Sequence, residues 1–153
     1  MKITQRTATL ADAATLLSWR NNSSARQFSL QPELIPSDEH LEWLTARLKR
    51  VQLEPFFLFA ADHESVGMSR LDVAFESNGR YEISILVDPN QQGKGVGTKI
   101  LHMTCETFFS LNPGDIMVAK VHQSNYVSQK LFINVGFQLI HSVGNFLHFE
   151  KTL

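Results

Sequence analysis

A single cysteine, Cys105, stands in 153 residues, so no disulfide can close within the chain and a disulfide-stapled scaffold is excluded. Charge of one sign is missing as well: 14 basic side chains face 15 acidic ones, the net charge is −1, and no run of like charge occurs. Electrostatic capture of nucleic acid or of an anionic membrane therefore has no footprint, and neither is expected as a partner. Long apolar runs are absent too. The longest, residues 56–61, falls far short of the ~20 residues that a membrane helix needs. The start, Met1-Lys2-Ile3-Thr4-Gln5-Arg6, lacks the apolar stretch of a signal peptide, which leads to the expectation of a cytoplasmic protein. No repeat, linker or low-complexity segment divides the chain, and its length fits one domain over residues 1–153.

Periodicity supplies the elements. Alternation over residues 2–7 predicts a first strand, and Thr9 is placed as N-cap of a helix with Leu10, Ala13, Ala14 and Leu17 on one face. Residues 23–36 read as polar and irregular. Ser37, Asp38 and Glu39 open a second helix carrying Leu41, Leu44, Leu48 and Val51. Strands follow over 56–61, 66–75 and 81–87, the last two joined at Ser77-Asn78-Gly79, whose Asn-Gly is a hairpin signal. Ile100, Leu101, Thr104, Cys105, Phe108 and Leu111 mark a third helix, stopped by Asn112-Pro113-Gly114. A strand over 116–121, a fourth helix over 125–135 ended by Gly136, and a closing hairpin about Gly144-Asn145 complete the order βααβββαβαββ. The fold class is α/β, a mixed, mainly antiparallel sheet flanked by four helices.

Between the strand ending at Val87 and the third helix lies Asp88-Pro89-Asn90-Gln91-Gln92-Gly93-Lys94-Gly95-Val96-Gly97. Glycines at alternating positions there let bare backbone N–H groups converge on one point, where the helix N-terminus adds its partial positive charge. Such a loop is a pyrophosphate cradle, and the backbone from Gln92 through Gly93, Lys94, Gly95, Val96 and Gly97 to Thr98 would form it. A dinucleotide-binding G-x-G-x-x-G would require glycine where Thr98 or Ile100 stands, and a P-loop would require Ser or Thr after Lys94, where Gly95 stands.

The letters that do match are Gln92, Gly95 and Gly97, read as Gln/Arg-x-x-Gly-x-Gly/Ala, together with Asn125-x-x-Ser128-x-x-Leu131-Phe132-x-x-x-Gly136-Phe137 about 30 residues further on. Both resemble motifs of the GNAT superfamily of N-acetyltransferases, and the element order is similar to that family's. The resemblance implies acetyl-CoA as cosubstrate, no metal, and a pyrophosphate on the glycine loop. It also implies a pantetheine arm paired like an added strand to the backbone of Leu86 and Val87, with Asn125 and Ser128 near that arm. Asn125 would equally serve as a helix N-cap, and the two roles are compatible.

Amide formation needs a held thioester, a neutral amine and a route to protonate the departing thiolate. By the resemblance, Glu82 is the candidate general base, acting through water; the alternatives are a solvent-facing carboxylate and an anchor for a substrate ammonium. Alternation puts Glu82, Ser84 and Leu86 on one face of their strand. The family's usual thiolate acid is a tyrosine, and Phe132 holds that position, which leaves Tyr126, His122 or water. Trp19-Arg20-Asn21, with Arg26 and Phe28, resembles the acceptor side of the branch that contains ribosomal-protein N-terminal and nucleotide-amino-sugar N-acetyltransferases. His102 and Cys105 have no further ligand at matching spacing, so no metal site is expected. The expected function is transfer of acetyl from acetyl-CoA to a small primary amine, first a nucleotide-linked amino sugar. A protein or peptide N-terminus is the second acceptor, and an acyl-CoA-binding sensor is the non-enzymatic alternative. A homodimer is left open.

Overall fold

The computed structural model describes residues 1–74 and 79–153. Its sheet has seven strands: β1 (Ile3–Thr7), β2 (Phe56–Ala61), β3 (Glu64–Val73), β4 (Arg80–Val87), β5 (Ile116–His122), β6 (Gln138–Val143) and β7 (Phe146–Lys151). They lie in the order β1-β2-β3-β4-β5-β7-β6. Every neighbouring pair is antiparallel except β4 and β5, which run parallel. The helices are α1 (Ala13–Asn21), α2 (Ser23–Gln27), α3 (Ser37–Leu48), α4 (Val96–Leu111) and α5 (Tyr126–Asn134). Five helices replace the expected four, because Asn22 accepts a hydrogen bond from the Ser24 N–H at 3.0 Å and caps the short α2 in a stretch too polar to show helical periodicity. Of the expected hairpin turn, Ser77 and Asn78 lie outside the described residues; Gly79 follows them at φ +77°.

Alternation along the central strands divides the apolar side chains between two faces. On one face Phe59, Leu71, Ile83, Met117, Ala119 and Phe149 pack beneath α4 and α5. On the other, Phe56, Leu58 and Met68 pack against Leu16, Trp19 and Leu44 of α1 and α3. The predicted stripe of α1 is displaced. Leu10 is exposed in a 3₁₀ turn, Leu10–Asp12, and that tighter turn shifts the phase so that Leu16 and Trp19 point inward. Likewise Leu41 is exposed, while α3 buries His40, Leu44 and Arg47. The charge on Arg47 is sustained in the interior by Asp72 at 2.8 Å and by the carbonyls of Glu54 at 2.6 Å and Leu71 at 2.9 Å. On α4, Leu111 is exposed, whereas Val96 and Phe109 join the buried stripe.

The seat of α4 on β3 fixes where the glycine loop ends. Ser69 and Thr104, both fully buried, lie 2.7 Å apart, and Thr104 gives its proton to the Ile100 carbonyl, which makes Ser69 the donor of the pair. Gly67 allows the close approach: a Cβ there would lie 2.5 Å from Ile100 Cδ1 and 2.7 Å from the Leu86 carbonyl oxygen. The first contact can relax, the second is backbone and cannot. Gly67→Ala is therefore expected to cost about 1–3 kcal/mol in urea unfolding. An unchanged midpoint would show that the β4 backbone at Leu86 can shift to admit a methyl group.

Candidate active site

β4 and β5 are paired only through Arg80–Ile116, Tyr81–Met117 and Glu82–Val118. Beyond Glu82 both strands continue, to Val87 and His122, without pairing to each other. Their carboxyl ends therefore part around a wedge, and residues 83–87 keep their ladder to β3 while presenting their other edge to the gap. Each strand then leads to a helix, β4 to α4 and β5 to α5, so two helix N-termini flank the open end. Leu86 and Val87 lie on the edge facing this gap.

The loop after β4 has the conformation its glycines predict. Gly93 and Gly95 both have φ +78°, Gly95 is the N-cap of α4, and a Cβ on either would meet nothing within 4 Å. An open, left-handed approach to a helix N-terminus leaves the first backbone N–H groups of α4 directed outward, the geometry an oxyanion requires. Gln92, Lys94 and Thr98 are exposed around it, whereas the Val96 side chain is in the core, so Val96 can contribute only its backbone. Gln91 Oε1 is buried beside this loop with no partner among the described residues. Asp88 fastens the loop at its base, accepting from the Asn90 N–H at 2.8 Å and from the Trp19 indole N–H at 3.2 Å. These features fit a CoA pyrophosphate and pantetheine arm.

Glu82, Ser84, Lys120 and His122 share one face of the sheet at the wedge. Glu82 is partly buried, its side chain 34% exposed, and Oε1 pairs with Lys120 Nζ at 3.1 Å. The His122 ring is held between Phe28, at 5.6 Å, and Phe146, at 5.3 Å. The Ser124 N–H donates to His122 Nδ1 at 3.0 Å, which puts the proton of the neutral ring on Nε2. Gln129 donates to the His122 and Gln123 carbonyls, at 3.2 and 2.9 Å, and so fixes the turn into α5. Asn125 caps that helix, accepting from the Ser128 N–H at 3.2 Å. Tyr126 is exposed on its first turn. Phe132 is buried against Phe137, 5.0 Å between ring centroids, and belongs to the core.

On the acceptor side the structure separates residues that the sequence grouped. Trp19 is 4% exposed and its N–H is engaged by Asp88, so it ties α1 to the loop and does not face an acceptor. Asn21 is likewise occupied, donating to the Ile35 carbonyl and accepting from the Ile35 N–H, both at 2.9 Å. Both corrections have one physical source: polar groups near the chain surface were satisfied by backbone and loop partners distant in sequence. Phe28 reaches His122, and Arg20 and Arg26 remain near the sheet face that carries Glu82. Sequence reasoning missed Arg70 and Lys120, which come to the face of Glu82 only through the register of β3 and β5 against β4.

Cys105 is buried against Met117, and burial pushes its thiol up to about 11, so it carries no thiolate at neutral pH. Among the described residues no group of three or more His, Cys, Asp and Glu side chains is placed to hold a metal ion, and no helix is long and apolar enough to cross a membrane. Labelling of Cys105 by a thiol reagent at pH 8 is expected to run at least ~100-fold slower in the native protein than in urea, since both access and thiolate are lacking. Comparable rates would make Cys105 a candidate nucleophile.

The profile of the acetyltransferase (GNAT) domain matches residues 2–138. The chain has no significant match among curated protein sequences. Among solved structures, RimL, a ribosomal L7/L12 alpha-N-protein acetyltransferase in complex with coenzyme A, is similar at TM-score 0.84 and 15% identity, over 100% of this chain and 95% of that one. The ribosomal-protein-alanine N-acetyltransferase of Brucella melitensis is similar at TM-score 0.80 and 21% identity, covering 98% and 99%. AAC(6')-Ib in complex with ribostamycin and coenzyme A is similar at TM-score 0.84 and 21% identity, covering 99% and 94%. With a match that spans most of its length, a wedge between parallel strands and a glycine-led helix N-terminus beside it, this chain belongs to the GNAT family of acetyltransferases, which use acetyl-CoA.

Proposed function

We propose that the chain is one N-acetyltransferase domain, residues 1–153, acting in the cytoplasm on a small primary amine, first a nucleotide-linked amino sugar. The observation that carries the reaction is the parting of β4 and β5 beyond Glu82, with Glu82, Lys120 and His122 on one face of the opening. Bound acetyl-CoA supplies the acetyl thioester. The backbone from Gln92 to Thr98 holds its pyrophosphate, the open edge at Leu86 and Val87 orients its arm, and Asn125 and Ser128 line the opposite side. Glu82 accepts a proton from the amine through water, its Oε1 held beside Lys120 Nζ. Nε2–H of His122, its tautomer fixed by the Ser124 N–H, donates a hydrogen bond to the departing thiolate, and exposed Tyr126 or water supplies the proton. No covalent enzyme intermediate is needed, in keeping with the interior position of Cys105. The outer edge of β6, where Leu139, Ile140 and Val143 are exposed, supports a homodimer.

A thiol-release assay comparing amino-sugar nucleotides with short peptides bearing free N-termini tests the acceptor. The amino sugars are expected to turn over with the higher kcat/KM; a much higher value for peptides replaces this reading with N-terminal acetylation, and no turnover with either leaves an acyl-CoA sensor.

Glu82→Gln is expected to lower kcat about 10²-fold at pH 7 with CoA affinity intact, and the deficit should shrink as pH nears the pKa of the amine itself. An unchanged kcat at pH 7 would reduce Glu82 to a structural partner of Lys120.

A further inference from the structure

Arg20, in the last turn of α1, lies within electrostatic reach of two other guanidiniums, Arg26 of α2 and Arg70 of β3, the last on the sheet face that carries Glu82. Arg20 Nη2 donates to the Gln31 carbonyl, but its Nη1 is buried with no hydrogen-bond partner among the described residues, and Arg26 Nε is buried in the same condition. Burial, then the nearby charges of Arg70 and Arg26, hold the Arg20 guanidinium below its ordinary pKa, with Glu33 acting the other way. Burial and the charges of Arg20 and Arg70 keep His40 neutral beside them by lowering its pKa as well. Among the described residues, of the three arginines only Arg70 has a carboxylate in contact, Asp72 at 3.0 Å, and Asp72 is shared with Arg47 at 2.8 Å.

A buried N–H left unbonded costs about 1–3 kcal/mol, more when the group is charged, so two of them in neighbouring guanidiniums mark a place built for an acceptor that the chain does not itself supply. We propose that Arg20 and Arg26, backed by Arg70, bind a phosphate or diphosphate group carried by the amine acceptor. A carboxylate brings one charge and is satisfied by a single bidentate arginine; a phosphoryl group brings more oxygens and up to two charges, enough to serve two guanidiniums at once. The position suits a substrate anchor. Arg70 is opposite Ser84 in the ladder, and Ser84 is two residues, about 7 Å, along β4 from Glu82 on the same face. Arg26 also lines an open cavity of about 400 Å³ with Ser23, Ser24, Gln27 and Pro32, whose hydroxyls and amide give a polar surface for the rest of such a molecule.

The anchor's role rests on the acetyltransferase reading, but its existence is tested without turnover. Inorganic pyrophosphate is titrated calorimetrically into protein saturated with CoA, so that the glycine loop is already filled. Saturable binding is expected, weakened about 10-fold or more in Arg26→Gln and in Arg20→Lys, and much weaker for glutarate than for pyrophosphate. Arg26→Gln breaks no side-chain hydrogen bond described in the structure, so it decides the matter even if Arg20→Lys misfolds. Absence of saturation in the wild type, equal affinity in Arg26→Gln, or glutarate binding as tightly as pyrophosphate overturns the proposal. Pyrophosphate binding without acetyl transfer to any amino-sugar nucleotide keeps the anion site and removes the amino-sugar reading. Turnover of those nucleotides without pyrophosphate binding does the reverse.

Discussion

Everything at the site depends on where two parallel strands stop hydrogen bonding. Three register pairs hold β4 to β5, and past Glu82 and Val118 the ladder gives way to a gap. Unpaired strand edges inside a sheet are costly unless something else satisfies them, and here the cost falls where both strands run toward helix N-termini. One constraint thus creates three things together: an edge for an extended arm, an oxyanion-favouring end beside it, and a shared face that carries Glu82, Lys120 and His122.

The two sides of the sheet are braced by different chemistry. Beneath α4 and α5 the bracing is apolar, helped by the Ser69–Thr104 hydrogen bond and the bare backbone of Gly67. Beneath α1 and α3 it is partly ionic, because Arg47 is engaged by Asp72, by the Glu54 carbonyl in the segment entering β2 and by the Leu71 carbonyl of β3. The apolar side resists deformation and keeps the glycine loop in place. The ionic side fixes α3 and leaves the segment before it, with Arg20, Arg26 and Phe28, to be held by loop contacts.

Local signals in the sequence were sufficient for most of the fold. Glycine and asparagine spacing foretold the left-handed turn at Gly95 and the cap at Asn125, and alternation placed Glu82 and Ser84 together, since these depend on neighbours a few residues away. What stayed hidden depends on long-range partners. The insertion of β7 between β5 and β6, the burial of Arg47, the engagement of Trp19 by Asp88 and the clamp of Asn21 on Ile35 each join residues whose meeting no periodicity encodes. Composition assigns arginine to solvent, and only a partner as distant as Asp72 reverses that assignment. The acceptor side is accordingly the part least legible in the letters, and Arg70 and Lys120 entered it only with the strand register.

The separate bracing of the two halves also bears on how such a chain can diversify. Because the partners of Arg47, Asp72 and the Glu54 and Leu71 carbonyls, all lie outside residues 23–34, replacements in that stretch leave the ionic bracing of α3 in place. Single changes over those residues can then accumulate on a fold whose bracing they do not touch. A lineage built this way can keep one reaction and exchange its clientele.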